Sequence, residues 1–173
     1  VVVTSKNANV ATGDQGLADA REIVATVAAR LGALPEDVLI AQTGVIGRLL
    51  PMDRIRAGLA ALPATLPGTD AEAVARAIMT TDTVHKLATA ELVGSTGTVR
   101  IVGVAKGVGM IEPDMATMIT LIFTDAEIAP AALDAAFRRV VDATFNSVAS
   151  DTDTYTSDTA IILASGEFTM PSA

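Results

Sequence analysis

The sequence predicts an α/β (α+β) layered sandwich, with paired strands packed between helices. Three observations carry that reading. Short runs rich in Val, Ile, Leu and Thr recur in pairs, and helical stretches with apolar residues at 3.6-residue spacing separate them. Half of the 173 residues are apolar and only 3% aromatic, so the core is built from aliphatic side chains. This length suits a single domain, or an incomplete one.

The elements follow in order. Val1 to Ser5 reads as a short buried strand, and Asn7 to Gly13 as a turn-rich loop. Leu17, Ala20, Val24, Val27, Ala28 and Leu31 then share one face of a helix that Gly32 ends. A second strand, Val38 to Ala41, empties into Gln42-Thr-Gly-Val-Ile-Gly47, whose glycines let the backbone turn sharply and present N–H groups. Pro51 suits the first turn of a helix carrying Met52, Ile55, Leu59 and Leu62. The stretch Pro63 to Gly68 separates it from a helical segment near Asp70 to Met79. His85 to Val93 and Thr98 to Ala105, joined across Gly94-Ser-Thr-Gly97, read as a hairpin. Met118 to Phe123 is a buried strand, and Pro130 opens a long helix with Leu133, Ala136, Phe137, Val140, Val141, Thr144 and Val148 on its inner face. Thr159 to Ala164 supplies the last strand.

Composition excludes several functions. Twelve Lys and Arg against twenty Asp and Glu give a net charge of −8, the wrong sign for a nucleic-acid binder, and no basic patch offsets it. No apolar run approaches the ~18–20 residues of a membrane span, and no secretory leader opens the chain, so a cytoplasmic protein without a membrane partner is expected. The absence of Cys removes disulfides and thiolate chemistry, and the single His85 has no second His or Cys with which to bind a metal. The opening on Val1 rather than Met, and the end at Met170-Pro-Ser-Ala173 soon after a strand, suggest a fragment or processed product.

The most informative stretch runs from Gly103 to Met118 and contains Lys106-Gly-Val-Gly109 and Met115-Ala-Thr117. Its Lys is not followed by Ser or Thr at a helix start, which argues against a phosphate loop, and its glycines lack dinucleotide spacing. Asp151 to Asp158 begins like a calcium loop, but Thr156 stands where Gly is required and Ile162 where the bidentate Glu belongs. Thr117 follows a small residue at the mouth of a buried strand. A hydroxyl is a weak nucleophile until a base removes its proton, and a threonine's own α-amine, with a pKa of about 7.7–8, can be that base. The amine exists only after the Ala116–Thr117 bond is cut, which Thr117 itself could do by an N-to-O acyl shift. By spacing alone, an ordinary threonine entering a strand is the favoured reading.

Five separated segments carry a resemblance that covers nearly the whole chain. They are Asn7 to Gly13; Gln42 to Gly47 with Leu50-Pro-Met52; Ala77-Ile-Met-Thr-Thr-Asp-Thr83; Lys106 to Thr117; and Phe145-Asn146 leading to Thr152-Asp-Thr154 and Ser157-Asp-Thr159. In order and spacing the sequence resembles the ornithine acetyltransferase family, autoprocessing glutamate N-acetyltransferases of arginine biosynthesis, and it looks like the middle part of the family's precursor. Tyr155 departs from the small residue of the family pattern.

The resemblance implies that Thr117 is both self-cleavage residue and nucleophile, taking acetyl from N-acetylornithine and passing it to glutamate. It implies that residues 1–116 end an α chain and residues 117–173 start a β chain, which associate in a larger homo-oligomer. Thr43 and Gly44 match the oxyanion-stabilising pair, Lys106 a substrate-binding lysine, and Thr80 or Thr81 a substrate-binding threonine. Glu112 and Asp114 read as loop-shaping residues. No cofactor is required, with acetyl-CoA an alternative acetyl donor. Two other readings compete: an aminopeptidase or amidase of similar fold that releases its acyl group to water, and an inactive or structural fragment.

Overall fold

A computed structural model describes residues 1–63, 68, 70–94, 97–107, 117–147 and 157–169. Their elements are β1 (Val2–Thr4), α1 (Gly13–Leu31), β2 (Ile40–Gln42), α2 (Met52–Ala60), α3 (Ala71–Ala77), β3 (Lys86–Gly94), β4 (Gly97–Lys106), β5 (Ile119–Glu127), α4 (Pro130–Ala143) and β6 (Thr159–Thr169). Helices and sheets mix as expected. The chain forms two compact units: one holds residues 1–70 with Thr117 and Ser157-Asp158, the other the remaining described residues. Among the described residues no helix is long and apolar enough to cross a membrane.

In the first unit β1 and β2 pair in parallel, with Val2 opposite Ile40 and Thr4 opposite Gln42. The pairing continues past both strands. Thr43 N donates to Thr4 O at 3.1 Å, Val45 N to Lys6 O at 2.9 Å and Ala8 N to Val45 O at 3.0 Å. The second strand lies later than Val38 to Ala41 because Pro35–Asp37 form a 3₁₀ turn first, and Val38 N closes it onto Pro35 O at 3.1 Å. Pro51 sits just ahead of α2 as its cap rather than inside its first turn, and Leu62 lies beyond the helix end.

Helix α1 ends where expected: Gly32 adopts φ 66°, which glycine reaches without a Cβ penalty, and its N–H meets Ala28 O. Its buried face is rotated from the expected stripe. Gly16, Asp19, Ile23 and Ala28 are buried, whereas Leu17 and Leu31 are 49% and 53% exposed. The rotation follows from the preceding loop. Asn9 Nδ2 donates to Gly16 O at 2.7 Å, Thr12 Oγ1 donates to Asn9 Oδ1 at 2.6 Å, and a Cβ on residue 16 would stand 1.9 Å from Thr12 Oγ1. This anchor turns the face that runs through Gly16, Ala20 and Ile23 inward.

The second unit is a four-stranded sheet in the order β3-β4-β5-β6. The expected hairpin is present, with Lys86 opposite Ala105 and Gly94 opposite Gly97. Strand β5 is antiparallel to β4 and parallel to β6, so α4 serves as the crossover that a parallel pair requires. Val99, Val104, Ile119, Leu121 and Ala126 are buried on the central strands, and α3, with Ala75 buried, packs against β3 and β4. Both central-edge strands outrun their expected ends. Strand β5 reaches Glu127 because Thr124 keeps register with Ile101 and Arg100 N donates to Asp125 Oδ1 at 2.8 Å; β6 follows it to Thr169. Helix α4 stops earlier: Thr144, expected on its inner face, is the C-cap and donates its hydroxyl to Val140 O at 2.6 Å. Val148 lies outside the described residues.

Candidate active site

Strands β5 and β6 begin in register, Ile119 opposite Thr159, and Thr159 N donates to Met118 O at 2.9 Å. Thr117 and Ser157 each stand two positions ahead of those first residues. Their hydroxyls meet at 2.5 Å, the short end of the O–H···O range. Thr117 is 3% exposed. A hydroxyl so placed is shielded from bulk water, and electrostatic contacts to it are worth more than at the surface.

Thr43 and Gly44 belong to the same compact unit as Thr117. Thr43 is fully buried, and its N–H donates to Thr4 O at 3.1 Å. Gly44 takes φ 131°, a region that side chains rarely enter. A Cβ there would lie 2.2 Å from both the carbonyl carbon and oxygen of Lys6. Lys6 itself adopts φ 91°, a sparsely populated conformation for a residue with a side chain. The turn is thus fixed by close backbone approach between the two paired segments.

In the second unit Lys106 ends β4 with only 2% exposure. A buried ammonium demands polar partners, and its Nζ donates to Thr80 Oγ1 at 2.8 Å. The contact separates the two threonines: Thr80 is half-buried against Lys106, and Thr81 is exposed. Asp82 organises both segments. Its Oδ1 accepts from Lys86 Nζ at 2.6 Å and Gly107 N at 2.8 Å, while Oδ2 accepts from Thr80 N at 3.3 Å. Burial alone would raise this carboxyl's pKa, but the Lys86 ammonium and the two amides outweigh it and hold the group below its ordinary value.

The ArgJ family matches this chain from residue 1 to residue 173. The chain belongs to the ArgJ family. It is 57% identical over 166 residues to the arginine biosynthesis bifunctional protein ArgJ of Rhodococcoides fascians, a match covering 96% of this chain and 40% of that protein. It is 54% identical over 168 residues to the glutamate N-acetyltransferase Oat2 of Streptomyces clavuligerus, covering 96% of this chain and 41% of the relative. The crystal structure of ArgJ from Bacillus halodurans aligns with a TM-score of 0.56 at 44% identity, covering 66% of this chain and 60% of that one. This ArgJ-family chain therefore spans about 40% of the length of the curated relatives it matches.

The sequence reading places Thr117, Thr43, Gly44, Lys106 and Thr80 on described positions, while Ala116, Glu112 and Asp114 lie outside them, as does the calcium-like stretch up to Thr156. Two further residues join the site in the structure. The sequence does not single out Ser157, because its partner lies 40 residues away. Asp82 carried a usable signal, standing two residues from Thr80 with a lysine four residues on. His85 Nε2 lies 3.7 Å from Glu72 Oε1, a half-buried surface pairing.

Proposed function

We propose that this chain is the central part of an autoprocessing glutamate N-acetyltransferase whose nucleophile is Thr117. The observation that carries the reading is the buried Thr117 hydroxyl at the entrance of β5, in a chain of the ArgJ family. The name of the Streptomyces relative supplies the reaction class.

In the cleavage step Thr117 Oγ1 adds to the carbonyl carbon of residue 116. The C–N bond breaks, the hydroxyl proton ends on the nitrogen, and water hydrolyses the resulting ester. Residues 1–116 and 117–173 then belong to separate chains that stay together as α and β parts. The freed Thr117 amine takes the hydroxyl proton as Oγ1 attacks the acetyl carbonyl of N-acetylornithine. Ornithine leaves, and the amine of glutamate removes the acetyl group from the threonine. The Thr43 hydroxyl and Gly44 amide face the developing oxyanion, a role in which one donor typically accounts for 10²–10³ in rate. Lys106 pairs with a substrate carboxylate, and Thr80 orients it. Assembly into a homo-oligomer and a cytoplasmic location fit this amino-acid biosynthetic role.

Thr117→Ala in the full-length protein is expected to leave one uncleaved polypeptide by intact mass, with no acetyl transfer. Normal cleavage or turnover in that variant overturns the reading. Ornithine release measured with and without glutamate separates transfer from the hydrolase reading: release independent of glutamate identifies a hydrolase. Formation of N-acetylglutamate with acetyl-CoA in place of N-acetylornithine reports the donor range.

A further inference from the structure

We infer that Ser157 is a catalytic hydrogen-bond donor to Thr117 Oγ1 in both self-cleavage and acetyl transfer, an inference that rests on the reading of Thr117 as nucleophile. Three observations support it. The two oxygens are 2.5 Å apart, Thr117 is only 3% exposed, and each residue stands two positions ahead of Ile119 and Thr159, the first register pair of β5 and β6.

The direction of the bond follows from proton bookkeeping. Either hydroxyl can be the donor in the resting geometry. In turnover the Thr117 proton must travel to the Thr117 amine, so the Thr117 O–H has to point there. Ser157 then donates, and its O–H stays on the oxygen as negative charge builds during attack. In transfer, the C–O bond forms on the acetyl carbon, the C–N bond to ornithine breaks, and the hydroxyl proton moves through the amine to the leaving nitrogen. Ser157 gains and loses nothing. Its hydrogen bond strengthens as Oγ1 gives up its proton, which is the differential stabilisation that raises kcat rather than binding. The same bond fixes the Thr117 rotamer before the chain is cut, when its nitrogen is still a peptide N–H.

Ser157→Thr and Ser157→Val in the full-length protein provide the test, because the two side chains are nearly equal in shape and differ in the hydroxyl. Ser157→Val is expected to slow both the appearance of the cleaved masses and kcat by about ten-fold or more, with KM for N-acetylornithine unchanged. The pH midpoint of kcat should stay in place, because the Thr117 amine remains the base. Ser157→Thr is expected to restore both rates to within about two-fold of the parent. Equal rates in the threonine and valine variants, or a loss confined to KM, overturn the inference. Should valine prevent folding, Ser157→Ala removes the same oxygen without added bulk and is read against Ser157→Thr in the same way. Cleavage by Thr117→Ala, run alongside, refutes the nucleophile itself and is a separate outcome from any behaviour of the Ser157 variants.

Discussion

An alanine at position 44 would bring its Cβ within 2.2 Å of the Lys6 carbonyl and would have to adopt φ 131°. Backbone would have to move in both paired segments, a cost of about 3 kcal/mol or more when steric and conformational strain combine. Gly47 is the matched control: it has φ 75°, but nothing lies within 4 Å of its built Cβ, so alanine there meets only the conformational cost of about 1 kcal/mol. Urea unfolding of Gly44→Ala and Gly47→Ala should therefore rank the first as far less stable. The reverse order would show that the close approach to Lys6 is not constraining. At this scale the glycine turn was legible: a glycine after a strand announces special backbone, and Gly44 takes φ 131°. Ser157 was not legible, because nothing local to Thr154 to Asp158 says which strand neighbour its hydroxyl will meet.

Among elements, the Thr80–Asp82 turn and the end of β4 are held together by one carboxylate. The folded-state pKa of Asp82 is depressed, so the stability it contributes is present above the unfolded carboxylate value of about 3.9 and is lost as pH falls through the lower folded value. Asp82→Asn should cost about 1–3 kcal/mol at pH 7, and its deficit against the parent should shrink below about pH 4. A deficit unchanged from pH 7 to pH 3 in thermal or urea unfolding would refute this role for the carboxylate. The elements themselves were read from periodicity, which found the β3–β4 hairpin and the Gly32 stop to within a residue or so. Periodicity failed where a polar contact decides the outcome. Asn9 and Thr12 set the rotation of α1, the Pro35–Asp37 turn displaces β2, and β5 is carried on by the Ile101–Thr124 register pair and by Arg100 N donating to the Asp125 side chain.

For the molecule as a whole, the proposed cut falls between strands rather than between units. Residues before it supply β3 and β4, and residues after it supply β5 and β6, with six register pairs from Ile101–Thr124 to Lys106–Ile119 across the divide. The first unit likewise combines residues 1–70 with Thr117 and Ser157-Asp158. Neither piece holds the whole of the four-stranded ladder, so the cleaved full-length protein should migrate as one species in native size exclusion and resolve into two masses only in denaturant. Two separate native peaks would contradict the shared ladder. The central position of β5 has one more result. Severed polypeptide ends ordinarily fray, yet an amine released at Thr117 would emerge two residues from a strand clasped on either flank, already moored at the moment it is made.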